Sequence, residues 1–341
     1  MKVVITGLPQ AGQQELFSLL TKISLDTIRE HPMEAQQGIC EVQDPRITKL
    51  IEIYKPKKSA YAKIEYLLLP DFTLTGPTKD LVFNQLKNAD EICWVSRAES
   101  AESDVANFVS ELVIHDIMLV EKRLETIAKD QRKKFSDQKE KEKQLIEMCK
   151  QQLDKEKPLK DLKFAADQLT ELRAYQFFTL KPVFLVINVP EAQIKDSSIA
   201  QKISASTGYP CIQLSAELEA EIVQLPEGER AEFMKELGVD EPALNKMTQI
   251  AYAELGLISY FTVGEDEVRA WTVRKGAAAP EAGSVIHSDI EKGFVRAEMF
   301  KYNDLLSAGS EAKLKELGKM YLKGRDYIVE DGDILSFRFN V

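Results

Sequence analysis

Residues 3–6, Val-Val-Ile-Thr, form a short apolar run that stops at Gly7, and a second glycine follows at Gly12. A helical pattern then places Leu16, Leu19 and Leu20 on one face. A buried strand, a glycine-flanked loop and a helix in that order predict the opening of an α/β unit. The loop reads Gly7-Leu8-Pro9-Gln10-Ala11-Gly12-Gln13-Gln14. Its glycines have the spacing of a phosphate-binding loop, in which backbone N–H groups wrap phosphates, a lysine neutralises charge and a hydroxyl holds magnesium. Here the lysine position is Gln13 and the hydroxyl position is Gln14. Glutamine offers a hydrogen bond and no charge, and it is a poor magnesium ligand. The loop keeps its shape-determining residues and lacks its electrostatic ones.

Further apolar runs at Ile64–Leu69, Glu91–Val95, Val183–Asn188 and Cys211–Leu214 alternate with helical stretches. That alternation predicts a mostly parallel sheet covered on both faces. Between the third and fourth runs the texture changes. Residues 102–175 hold one proline, Pro158, and no glycine. Val109, Val113, Ile117, Val120, Leu124 and Ile127 recur at steps of four and three, a coiled-coil-like stripe. Ile146, Cys149 and Leu153 continue it on a second helix. Pro158 suits the first turn of a third, carrying Leu162, Ala166, Leu169 and Leu172. The expectation is an antiparallel helical arm with Arg132-Lys133-Lys134 at its tip. Beyond about Ile258, short strands at Arg269–Val273, Phe294–Phe300 and Ile334–Phe339 mix with helical segments, with Asp331-Gly332-Asp333 as a turn. The division expected is a discontinuous domain over 1–98 and 176–257, a helical insertion over 99–175, and a small α+β domain over 258–341.

The net charge of −10 argues against a whole-chain nucleic-acid footprint. Charge is unevenly spread, however. Residues 121–163 hold 14 Lys and Arg against 10 Asp and Glu, so an acidic chain carries a basic arm. Lys292, Arg296, Lys301, Lys315, Lys319, Lys323 and Arg325 are candidates for a second basic face, amid nearby acids. Cys40, Cys93, Cys149 and Cys211 are too scattered for zinc and read as reduced thiols. His31, His115 and His287 form no triad or metal set; His115 reads as a packing residue and His287 as a loop hydrogen-bonding one. Trp94 and Trp271 read as core. With neither a signal segment nor a run of roughly 20 apolar residues, the chain is expected to be cytoplasmic, with no membrane partner and no DNA.

Taken together, Gly7-Leu-Pro…Gly12, Asp44-Pro-Arg46, Thr179-Leu-Lys-Pro182, Asn188-Val-Pro-Glu191, Ser215-Ala-Glu217, Glu267-Val-Arg-Ala-Trp271, Ile286-His-Ser-Asp-Ile-Glu-Lys-Gly-Phe294 and the ending Phe339-Asn-Val341 resemble the YchF family of Obg-like ATPases over essentially the whole chain. The resemblance implies a P-loop NTPase-like α/β domain, an inserted coiled-coil-like arm and a C-terminal α+β TGS (β-grasp-like) domain. It also implies ribosome association and a preference for ATP. Gly7, Pro9, Gly12, Gln13 and Gln14 then correspond to the phosphate loop. Asn188 and Glu191 fit the base-recognition pattern N-x-x-E, and Ser215, Ala216 and Glu217 fit the loop that lines the base. The phosphate side departs from the family. Leu68 stands at the magnesium-linked aspartate, Asp71 at a switch glycine and Pro32 at the first-switch threonine. The second switch shrinks to Phe72-Thr-Leu-Thr-Gly-Pro-Thr78.

Losing several phosphate-clamping groups removes several kcal/mol of transition-state stabilisation. The leading expectation is therefore a pseudo-NTPase with no catalytic or metal residues. It would be a monomer that engages the ribosome, RNA or a protein through the arm and the TGS-like domain. It would need no cofactor, and binding of ATP or GTP without tightly held magnesium stays open. The alternative is a slow ATPase, or an ATP-binding regulator, that recognises the base through Asn188 and Glu191.

Overall fold

The computed structural model describes residues 1–72, 77–131, 136–237, 239 and 241–340. Its strands are β1 (Lys2–Gly7), β2 (Gln36–Glu41), β3 (Lys58–Ala60), β4 (Lys63–Leu68), β5 (Glu91–Arg97), β6 (Val183–Asn188), β7 (Cys211–Leu214), β8 (Leu257–Thr262), β9 (Glu267–Arg274), β10 (Phe294–Lys301), β11 (Tyr321–Lys323) and β12 (Asp333–Phe339). They form two six-stranded sheets, ordered β2-β4-β1-β5-β6-β7 and β11-β10-β12-β8-β9-β3. Packing sorts the chain into two compact units, residues 1–38 with 66–243 and residues 39–65 with 244–341. The sequence placed 39–65 with the first domain, whereas this stretch packs with the C-terminal unit.

In the first unit β1, β5, β6 and β7 run parallel, with Ile5 opposite Cys93 and Trp94 opposite Leu185. β1, β5 and β6 are apolar along nearly their whole length because both faces are buried, as their runs predicted. Trp94 is 1 % exposed, stacks on Phe108 at 4.1 Å and meets Phe72 edge-on at 5.3 Å. Phe83 stacks on His115 at 3.6 Å, and burial pushes the imidazole's pKa down.

The inserted arm is a pair of helices, Ala101–Gln131 and Asp137–Leu153. Val113 and Val120 pack with Leu145, Ile146, Cys149 and Leu153, which carries the expected stripe into a satellite core. The expected third helix is shorter than its sequence pattern. Pro158 precedes a single 3-10 turn, Leu159–Asp161, and helix begins only at Ala166. Leu159 N–H donates to Thr179 Oγ1 at 3.1 Å, and the chain leaves helical geometry at Leu162, which is extended at φ −87° and ψ 146°. The basic run 132–134 lies outside the described residues, as do residues 73–76 of the shortened switch.

One buried acid fastens the arm. Asp116 accepts hydrogen bonds from Phe178 N–H (2.9 Å), Thr179 N–H (2.8 Å) and Thr179 Oγ1 (2.6 Å). Burial pushes its carboxyl up to about 6, against the downward pull of those three donors. Lys181 Nζ donates to the Lys87 and Ala89 carbonyls at 2.9 and 2.7 Å. The Thr179-Leu-Lys-Pro182 stretch is therefore a structural clamp at the entry to β6.

In the C-terminal unit β12 runs parallel to β8, while β8–β9, β10–β12 and β10–β11 are antiparallel. Helices Ala279–Ile286 and Ser288–Gly293 pack on the same unit's core with Tyr260, Met299 and Leu335. Trp271 is only half-buried. Its Nε1 donates to Thr262 Oγ1 at 2.9 Å, and the Arg269 guanidinium lies 4.1 Å over its ring, so one face stays at the surface. His287 Nδ1 accepts from Asp289 N–H at 3.2 Å and caps a helix. Part of the candidate basic face is engaged with neighbours. Lys301 meets Asp333 and Glu330, Lys319 meets Asp304, and Lys323 lies over Tyr321 and Tyr327.

Candidate functional site

The loop after β1 turns through left-handed backbone at Gln10 (φ 64°) and Gly12 (φ 99°) before helix Gln13–Thr21 begins. Both glycines are required by close approach. A Cβ on Gly7 would stand 2.5 Å from the Val95 carbonyl oxygen, and one on Gly12 would stand 2.3 Å from Asn188 Nδ2. Between the loop and the end of β4 lies a cleft of about 450 Å³, lined by Gln10, Gly12, Gln13, Gln14, Glu15, Arg29, Asp71 and Asn188.

Gln13 dominates its floor. Only 2 % exposed, it donates from Nε2 to the Leu8 carbonyl at 3.1 Å and to Asp71 Oδ1 at 2.6 Å. Its Oε1 is buried without a hydrogen-bond partner among the described residues. An amide nitrogen carries two hydrogens, and both are used. The one cation among the described residues that line the cleft, Arg29, is turned to Glu15 at 2.9 Å. Asp71 is fixed by its neighbours. Leu69 N–H donates to the Ile5 carbonyl at 3.0 Å, Phe72 N–H donates to the Gly7 carbonyl at 2.8 Å, and the Phe72 ring is locked among Phe83, Trp94 and Phe108. Leu68, at the end of β4, is 3 % exposed and presents hydrocarbon. Among the described residues no three His, Cys, Asp or Glu side chains are grouped to hold a metal ion.

Asn188 joins three loops. It donates from Nδ2 to the Ala11 carbonyl at 3.2 Å, and its Oδ1 accepts from Ala216 N–H at 3.0 Å. Each amide atom keeps one further hydrogen-bonding position. On its other side lies a second cleft of about 560 Å³, lined by Ala216 and Glu217 with Leu19, Ile23, Leu25, Ala220 and Val223 among others. Ser215 is buried and caps helix Ala216–Gln224, its Oγ accepting from Leu218 N–H at 3.4 Å.

The expected site residues thus divide. Gly12, Gln13, Gln14 and Asn188 line the first cleft; Asn188, Ala216 and Glu217 line the second. Gly7, Pro9, Ser215 and Glu191 line neither, and Glu191 is exposed at the start of a 3-10 turn. Arg29 and Glu15 escaped the sequence reading, since only the fold brings their helices together. Pro32, at the expected first switch, is exposed.

A family model, YchF-GTPase_C, described as a protein of unknown function (DUF933), matches residues 257–340. The chain is 34 % identical to the ribosome-binding ATPase YchF of Bacillus subtilis, over 99 % of this chain and 98 % of that protein. It is likewise 34 % identical to the ribosome-binding ATPase YchF of Escherichia coli O157:H7, over 100 % and 99 %. Among solved structures, the YchF GTPase of Schizosaccharomyces pombe superposes with a TM-score of 0.88 at 29 % identity, covering 99 % of this chain and 97 % of that one.

Proposed function

The chain belongs to the YchF family, and from that premise we propose that it is a cytoplasmic, ribosome-associated binding protein whose phosphate and magnesium chemistry has been lost. The observation that carries the loss is the pairing of Gln13 at the lysine position with buried Leu68 at the magnesium position. Magnesium needs oxygen donors, and a leucine side chain supplies none. The lysine position offers a triphosphate no cation, and the Gln13 side-chain hydrogens are already bonded to Leu8 and Asp71. The residues do not fit a magnesium–triphosphate complex.

Ribosome association rests on the names of the two bacterial relatives. Within this chain the surfaces proposed for it are the helical hairpin, basic over 121–163, and the TGS-like domain at 258–341. No helix among the described residues is long and apolar enough to cross a membrane. Contacts with RNA phosphates weaken as salt rises. Co-sedimentation with ribosomes should therefore be seen at low salt without added nucleotide and be lost at high salt. Absence of association at low salt would refute the proposal.

A slow ATPase is the competing reading, and it draws on the carboxylate of Asp71 in the cleft. Calorimetry with millimolar ATP or GTP, with and without magnesium, separates the two. We expect magnesium to leave any heat of binding unchanged; magnesium-dependent binding with phosphate release favours the enzyme.

A further inference from the structure

Among the described residues, the first cleft is lined by two carboxylates, Glu15 and Asp71, and one cation, Arg29, which pairs with Glu15 at 2.9 Å. That leaves Asp71, whose one hydrogen-bond or ion-pair partner among the described residues is Gln13, at 2.6 Å. The bond runs to the residue that stands where a phosphate loop carries its phosphate-binding lysine. The cleft opens at the N-terminus of the nine-residue helix Gln13–Thr21, an end whose backbone dipoles favour a negative charge. A carboxylate is already there. It is also held in place at no further entropic cost on ligand binding. Buried Pro70 restricts the backbone before it, the Phe72 N–H bond to Gly7 fixes the backbone after it, and the Phe72 ring is anchored in the aromatic core.

Gln13 enforces the same outcome from the other side. With both Nε2 hydrogens used, what remains is Oε1, a buried acceptor without a donor among the described residues. A phosphate oxygen entering the cleft would meet the Asp71 carboxylate and a spent amide. A neutral group would meet no such penalty, because like-charge repulsion in a half-buried cleft acts only on a charged ligand.

We propose that Asp71 is the specificity-determining residue of this cleft, a built-in anion that takes the place of a ligand phosphate. It excludes phosphate-bearing ligands and holds the loop in one arrangement without nucleotide. The inference rests on the proposed loss of phosphoryl chemistry, and goes beyond it by naming the residue that bars the ligand.

The test is calorimetric titration of the full chain with pyrophosphate and with ATP, both without magnesium, on wild type, Asp71→Asn and Asp71→Gly. Asn keeps the shape and the acceptor for Gln13 while removing the charge. Both variants should bind pyrophosphate and ATP at least about tenfold more tightly than wild type, a ratio that the removal of one facing charge readily supplies. Equal affinity in wild type and variants, including no measurable binding to any of them, overturns the proposal. Should Asp71→Asn melt well below wild type, amide hydrogen exchange over residues 7–16 of the wild-type chain replaces it. Protection unchanged by millimolar ATP supports the built-in anion, and a nucleotide-dependent rise overturns it. Phosphate release by the wild type with magnesium instead refutes the loss of chemistry, whatever the ratio between variants.

Discussion

Arg46 and Asp331, 285 residues apart in sequence, are joined by two hydrogen bonds of 2.6 and 3.2 Å. The same guanidinium forks onto Asp44, with Nε at 3.0 Å from Oδ1 and Nη2 at 2.8 Å from Oδ2, and lies 5.0 Å over the Phe261 ring. Asp331 Oδ1 in turn accepts from Ser259 N–H at 2.9 Å. Two carboxylates raise the Arg46 pKa despite its burial. The Asp44-Pro-Arg46 stretch thus meets the Asp331-Gly-Asp333 turn through planar, bidentate chemistry that only arginine offers. Arg46→Lys should cost the C-terminal unit about 2 kcal/mol and Arg46→Ala somewhat more, read by denaturant unfolding. Equal stability of Arg46→Lys and wild type would mean the fork is ornamental.

Restoring the loop's consensus should leave the chain inert. Gln13→Lys with Gln14→Ser supplies a cation and a hydroxyl. Leu68 still offers magnesium no oxygen, and Asp71 would now draw the new lysine into an ion pair. We expect phosphate release indistinguishable from wild type in a steady-state assay. Brisk turnover by the double variant would show that Leu68 is no obstacle.

Gly12 has no tolerance for a side chain. Gly12→Ala places a methyl at φ 99° and against Asn188 Nδ2. Left-handed strain alone costs roughly 1–3 kcal/mol. The displaced Asn188 would also loosen its bonds to Ala11 and Ala216. Thermal unfolding should show a clear loss, and faster exchange should appear at the Ala216 amide. A wild-type melting temperature would contradict this geometry.

Asp116 should leave a signature in pH. Its carboxyl is raised from 3.8 to about 6, so the folded chain keeps this proton where the unfolded chain has lost it. The stability it contributes is present in full below about pH 4 and is lost as pH rises through 6. The whole change is about 3 kcal/mol at about 1.4 kcal/mol per pH unit. The stability of wild type minus that of Asp116→Asn should fall by that order between pH 4 and 6. A difference flat with pH would place the carboxyl at its ordinary value.

β1, β5 and β6 and the loop from Gly7 to Gly12 were legible because burial on both faces writes itself as nearly uninterrupted hydrocarbon. β2 was not. Gln36-Gln-Gly-Ile-Cys-Glu41 is a polar edge strand without alternation, and Ile39 on it is 57 % exposed. β3 and β11, at three residues each, are too short to show a period. The third helix of the insertion is interrupted at Leu162, whose extended backbone at φ −87° and ψ 146° is not visible in its apolar spacing. At the candidate site the residue types were legible and their pairings were not. Nothing in the sequence says that Gln13 spends its amide on Asp71, or that Arg29 spends its charge on Glu15.

The excursion of residues 39–65 into the C-terminal unit has a consequence for synthesis. β3 is made early, yet its partner β9 lies at 267–274, with Lys58 opposite Glu267. On a chain emerging N-terminus first, β3 and the helix that carries Arg46 must wait until the whole first unit has been translated. Loop closure over so long a span makes this a late step in folding. A chain cut after 243 would strand a strand and a helix without their partners, so the C-terminal unit cannot be removed at a single point without damaging what remains.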